Sequence, residues 1–248
     1  MAEYQADTVE LSDEVRETFV LHNRSFQRYA IDNSTYFVPV DEDETLRLRI
    51  QHRVLTMMFD NRFIFPPIDA PRRVLDCGFG TGEWALQVAW EHPRCEVRGI
   101  DITPHHHNPD EGLENLYLDV DDLNMSFQFS SNHFDLVNSR LVAGGINSER
   151  WTGYIRDIYR CLRPGGWVQM VEIDFNAQSD NGALAESKLR SNECRSRSLE
   201  LTPIWQIRLF DSGRRRIFMR WNNARTQELR VDLEVGSEMP GSRMWMSE

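Results

Sequence analysis

The stretch Val74-Leu75-Asp76-Cys77-Gly78-Phe79-Gly80-Thr81-Gly82 constrains the fold of this chain more than any other. A short apolar run, Arg73–Cys77, ends in three alternating glycines, and a helical pattern over Glu83–His92 begins at once. Buried strand, tight turn and helix in that order open a unit of parallel sheet. Glycines accept positive φ and let a ligand approach the backbone closely. The first amides of the following helix then face whatever lies above the turn. A dinucleotide fingerprint, GxGxxG, would need glycine where Glu83 stands, so that reading is excluded. The pattern present is Asp-x-Gly-x-Gly-x-Gly, and its carboxylate suits a cationic group on the ligand.

The same alternation continues along the chain. Glu96–Asp101, Leu113–Val120, Phe134–Ser139 and Trp167–Ile173 read as further strands, and Ser148–Leu162 as a helix, with Gly165-Gly166 turning the chain between the last two. The expected fold is α/β, a Rossmann-like and mostly parallel sheet with helices on both faces. Upstream, a short amphipathic helix is expected over Asp13–Leu21 and an extended segment over Ser34–Val40. The acidic run Asp41–Glu44 then opens a longer helix, where it suits the helix dipole. Leu46, Ile50, Val54, Met57 and Met58 recur at helical spacing, which predicts that their face is buried. After Asp174 the pattern weakens: Ile204–Phe210 and Ile217–Trp221 read as strands, and Arg225–Val235 alternates. The division expected is residues 1–65 as an N-terminal extension with a lid helix, 66–182 as the core, and 183–248 as an atypical C-terminal segment.

Charge narrows the partners. The net charge is −11, and a surface of that sign repels phosphate backbones, so no direct nucleic-acid partner is expected. Residues 178–248 differ, with a net of +2 against −13 for the rest. No run approaches the roughly 20 apolar residues of a membrane helix. The polar, acidic N-terminus does not read as a signal peptide, so an intracellular setting, cytoplasmic or nuclear, is expected. Cys77, Cys95, Cys161 and Cys194 form no CxxC pair and read as reduced thiols. His105-His106-His107 reads as a solvated loop, and no metal site is expected. Trp84, Trp90, Trp151 and Trp167 read as core, and Arg214–Arg216 as a solvated turn.

Two further groups bear on ligand binding. Asp101 closes the second strand about 20 residues after the glycine turn, where a carboxylate can accept from both hydroxyls of a ribose. Asp119, Asp121 and Asp122, with Leu123, follow the third strand. One of these carboxylates suits the exocyclic amine of adenine, and a solvated acidic turn is an equal reading of each.

With these residues in view, the chain resembles class I S-adenosylmethionine (SAM) dependent methyltransferases, and within them the fungal LaeA-like group of secondary metabolism. The matching stretches are Tyr36–Glu44, Arg47-Leu48 with Gln51-His52, VLDCGFGTGEWA, GIDITP, FDLVNSR and CLRPGGWVQMVEID, together covering about residues 23 to 182. The resemblance implies SAM as cofactor. It puts Gly78, Gly80 and Gly82 along the cofactor, Asp76 at its amino-acid end, Asp101 with Ile102 at the ribose, and Asp121 or Asp122 with Leu123 at the adenine. Asn138, Ser139 and Arg140 fall where cofactor meets substrate, and the helix of Arg47, Gln51 and His52 covers the site as a lid. His52 and His133 are the candidate bases, and no motif singles out either. Two departures stand out. Phe79 replaces a small residue between the first glycines, and the Arg-rich segment 188–230 replaces the helix and antiparallel hairpin that usually end the fold. The function implied is methyl transfer from SAM to a small molecule. The alternatives are a regulator of the same fold that acts through protein partners, and a SAM binder that does not transfer methyl.

Overall fold

The computed structural model describes residues 13–104, 113–174, 200–201, 205–209, 216–220 and 231–232. The N-terminal part comprises α1 (Asp13–Arg16), β1 (Thr18–Leu21), β2 (Arg24–Gln27), α2 (Arg28–Asp32) and α3 (Glu42–Met58). The core follows with β3 (Arg73–Cys77), α4 (Glu83–Glu91), β4 (Glu96–Asp101), β5 (Leu116–Val120), β6 (Phe134–Arg140), α5 (Trp151–Cys161) and β7 (Leu162–Val171). Short strands β8 (Ile173–Asp174), β9 (Glu200–Leu201), β10 (Trp205–Leu209), β11 (Arg216–Arg220) and β12 (Val231–Asp232) complete it.

The main sheet has the order β12-β11-β10-β7-β6-β3-β4-β5. Its five core strands are parallel, which bears out the expected α/β class. From β3 the chain builds outward to β4 and β5, then returns to place β6 on the other side of β3. Such a switch point leaves a crevice beyond the carboxyl ends of the strands. Both faces of the central strands are covered, so they carry apolar residues at consecutive positions. Val74 and Leu136 pack with Trp84 and Val88 of α4, whereas Leu75 and Val137 pack with Tyr154 and Ile158 of α5.

The C-terminal strands expected near 204–210 and 217–221 are present as β10 and β11. They continue the sheet antiparallel, β10 against β7, β11 against β10 and β12 against β11. The expectation that segment 188–230 replaces an antiparallel hairpin is therefore corrected: its described residues include one, β10 with β11, added to the β7 edge.

Four other expectations change. The region Asp13–Leu21 is helical only over α1, and Thr18–Leu21 is instead one arm of a hairpin with β2. β-Branched and aromatic residues favour that arm, and His22 and Asn23 take φ of 50° and 60°, as a two-residue hairpin turn needs. Trp90 is not core, being 68% exposed on the outer face of α4. Gly165-Gly166 does not separate helix from strand: β7 starts at Leu162, and Arg163–Gly166 bulge out between the pairs Phe134↔Leu162 and Leu136↔Trp167. The apolar row on α3 faces outward, with Met57 67% and Leu46 58% exposed. The buried residues of that helix are Glu44 and Leu55.

Candidate functional site

A cavity of about 250 Å³ lies beyond the carboxyl ends of β3, β4 and β6. Its walls are the glycine turn after β3, the inner face of α3, and the turn 141–145 after β6. Gly78, Gly80 and Gly82 have φ of 71°, 59° and 83°, a region that strains any other residue. A Cβ on Gly78 would stand 2.5 Å from Val142 Cγ1, so the turn and the opposite wall touch there. Leu141, at φ 59°, is a leucine held in the left-handed region on the cavity wall.

Asp101 ties the floor together. Its Oδ2 accepts from the Gly80 amide (2.8 Å) and its Oδ1 from the Thr103 amide (3.0 Å). Burial pushes its carboxyl upward, and these amide bonds oppose the shift. Each oxygen retains lone-pair capacity toward the cavity. Phe79 fits because residue 99 is glycine: a Cβ there would meet Phe79 Cδ1 at 2.9 Å. The ring therefore fills the space that a side chain on β4 would otherwise take.

Asp76 lies behind the turn, buried, on the α4 face of the sheet. Asp76, Asn138 and Gln169 are register partners on three neighbouring strands. Asn138 Nδ2 donates to Asp76 Oδ1 (2.7 Å), and Gln169 Nε2 donates to Asn138 Oδ1 (2.9 Å). Gln169 also accepts from the Phe65 amide (3.0 Å) and donates to the Phe63 carbonyl (2.9 Å), which takes a second bond from Trp84 Nε1 (3.0 Å). Burial pushes the Asp76 carboxyl up to about 7, against the pull of Arg140 and Asn138.

The α3 wall is mixed on its inner side, with Arg47, Gln51 and His52 beside Leu48 and Leu55. Asp41 caps the helix by accepting from the Glu44 amide (3.0 Å) and pairs with Arg24 through two bonds (2.6 and 2.8 Å). The latter contact pulls its carboxyl well below the usual carboxylate range. Arg47 donates to both oxygens of buried Glu44 (2.8 and 2.7 Å). Gln27 joins this N-terminal part to the core, donating to the carbonyls of Val15 (2.8 Å) and Ile102 (3.0 Å). Tyr36 hangs over Gly145, and burial with the nearby carboxylates of Asp101 and Glu44 pushes its phenol well above the ordinary value.

Of the residues singled out by sequence, Gly78, Gly80, Asp101, Ile102, Asp122, Leu123, Arg140 and His52 line the cavity. Asp76, Gly82, Asp121 and Asn138 do not, although each adjoins or supports one that does. His133 is displaced altogether: it precedes β6 at the amino end of the sheet, where its amide donates to the Cys161 carbonyl (2.7 Å). That is the opposite end of the strand from the cavity, so His133 is not a base for this site. The lining also includes Tyr36, Glu83, Thr103 and the turn Leu141–Gly145, which the sequence reading gave no roles. Gly144-Gly145, a glycine pair after the fourth strand, falls in the short 3-10 turn Ala143–Gly145. His105-His106-His107 lies outside the described residues. Among the described residues there is no cluster of three or more metal-type ligands, and no helix long and apolar enough to cross a membrane.

Residues 49–220, more than half of the chain, match the methyltransferase domain family. The chain belongs to that family. S-adenosylmethionine is the cofactor that goes with it. The "Secondary metabolism regulator laeA" of Monascus pilosus is 32% identical over 174 residues, covering 69% of this chain and 47% of that protein. The "Protein-methionine methyltransferase laeA" of Emericella nidulans is 33% identical over 156 residues, 62% of this chain and 41% of its own length. The "Methyltransferase pytC" of Aspergillus terreus is 33% identical over 177 residues, with 70% and 52% covered. The chain therefore spans about half the length of the curated relatives it matches.

Proposed function

We propose that this chain binds SAM across the glycine turn and transfers its methyl group to a small molecule held against α3. The observation that carries this reading is Asp101, fixed by the Gly80 amide at the floor of a cavity that the left-handed glycines Gly78 and Gly80 border. A ribose over the turn meets a carboxylate already held in place. Leu123 and Val142 offer an apolar slot for a base, with Asp122 at its edge. When bound, SAM supplies an electrophilic methyl carbon. The protein's part is to orient the acceptor in line with that carbon and to keep water out. Tyr36, Leu48 and Leu55 shape the acceptor side. Deprotonation is needed only for an acceptor that must lose a proton, and His52 is the base within reach of the cavity.

Titration calorimetry with SAM and S-adenosylhomocysteine tests the reading. Micromolar dissociation constants for both are expected; heat from neither, with a folded chain, would overturn it. A second reading is a regulator of the same fold that works through protein partners. The names of the laeA relatives and the outward apolar row on α3 favour it. Methyl transfer to a small-molecule panel without any added protein would decide for the first reading.

A further inference from the structure

Arg140 ends β6 and enters the cavity wall. Its guanidinium stands 3.2 Å from His52 Nδ1, and no carboxylate of the described residues comes within ion-pair distance of it. Arginine only donates, so His52 Nδ1 is the acceptor and the ring proton sits on Nε2. Nε2 in turn donates to Thr56 Oγ1 (3.3 Å), and the ring stacks on Phe63 with centroids 6.0 Å apart. Both nitrogens of a neutral imidazole are thereby occupied. The carboxylates that act on Arg140 through space are committed elsewhere, Asp76 to Asn138 and Glu83 to Arg49 (3.0 Å). Arg140 is thus a largely desolvated cation whose direct partner is uncharged, an arrangement that an anion entering the cavity would stabilise. It also borders a small recess formed by Thr56, Phe59, Phe63, Phe65 and Trp84, so it stands between two spaces.

We propose that Arg140 receives a carboxylate of a molecule bound in the cavity, and that this contact draws the guanidinium off His52 Nδ1 and leaves a free imidazole base beside that molecule. The inference rests on the cavity being the binding site described under Proposed function. The carboxylate comes from one of two sources, the amino-acid end of SAM or the methyl acceptor. In transfer, the acceptor's proton passes to His52 Nδ1, its electron pair bonds the methyl carbon, and the sulfur departs as a neutral thioether. Burial and the Arg140 charge hold the His52 imidazole at about 4 in the free chain, so the switch has a spectroscopic signature.

The test is the NMR titration of His52 in the full chain, its signal assigned by His52→Gln. Arg140→Gln is expected to raise the His52 pKa by a unit or more, and Arg140→Lys, which keeps a cation, to raise it less. In the wild type, S-adenosylhomocysteine is expected to raise it while 5′-methylthioadenosine, which lacks the carboxylate, does not; that result names SAM as the source. If benzoate raises it only in the S-adenosylhomocysteine-saturated chain, the acceptor is the source. A His52 pKa unmoved by all three ligands, or unchanged in Arg140→Gln with the fold intact by circular dichroism, overturns the proposal. If S-adenosylhomocysteine binds and neither it nor benzoate added to the saturated chain moves His52, this inference fails and the cofactor reading stands. If it does not bind, the cofactor reading fails, and the Arg140→Gln and benzoate titrations still decide this one.

Discussion

Asp101 spends one lone pair of each oxygen on a backbone amide before any ligand arrives. That arrangement pre-orients the carboxylate, so Asp101→Ala should weaken SAM binding more than tenfold, about 1.4 kcal/mol by calorimetry. An unchanged dissociation constant would remove Asp101 from the site. Gly78→Ala faces both a positive φ and Val142 Cγ1 at 2.5 Å. It should cost about 1–3 kcal/mol of stability, read from denaturant midpoints. Both residues were legible in sequence because their roles follow from backbone position: the end of a strand, the apex of a turn. His52 and Arg140 were legible as separate names only. They are 88 positions apart, and nothing in either neighbourhood announces the other. Asp76 was legible as a carboxylate before the glycines, yet its bond to Asn138 depends on which strand lies alongside β3.

At the scale of the element, α3 shows how periodicity misleads beside a cavity. A row of apolar residues at helical spacing marks a buried face when a helix covers a core. Here the helix covers a cavity of mixed lining, so Arg47, Gln51 and His52 face inward beside Leu48 and Leu55, and the apolar row points out. Both faces carry a helical period, and the sequence does not say which one meets the protein. Ile50→Gln and Val54→Gln should therefore change stability by no more than about 0.5 kcal/mol. Leu55→Ala, on the inner face, should cost about 2–5 kcal/mol. Urea unfolding of the three variants checks the orientation, and large losses for the first two would reverse it. By contrast β3, β4 and α4 were placed almost to the residue, because a strand covered on both faces and a glycine turn leave few alternatives.

Across the molecule, the five parallel strands could be read from the alternation of strand and helix, whereas at the β7 edge two strands could be read but not their antiparallel pairing, since short strands among charged residues carry little register signal. Two carboxyls, Asp76 buried and Glu172 partly buried, make stability depend on pH in one direction. Burial raises Asp76 and Glu172 each to about 7, and the Val142 and Ala143 amides oppose the shift at Glu172. The folded chain then holds protons that the unfolded chain, with carboxyls titrating near 4, has lost. Their contribution is full below pH ~4 and is lost as the pH rises through ~7. Wild type should accordingly lose ground to Asp76→Asn between pH ~5 and ~8 in urea midpoints; parallel curves would show Asp76 ionised throughout. The row Asp76–Asn138–Gln169 reaches further still. Its bonds all point one way, from the Phe65 amide to the carboxylate beneath the glycine turn. A ligand that stiffens the turn stiffens the acceptor at the far end of that row. Deuterium should therefore enter the Phe65 amide more slowly when the cavity is filled, so that the exchange clock of one hydrogen, outside the cavity lining, keeps time for the whole site.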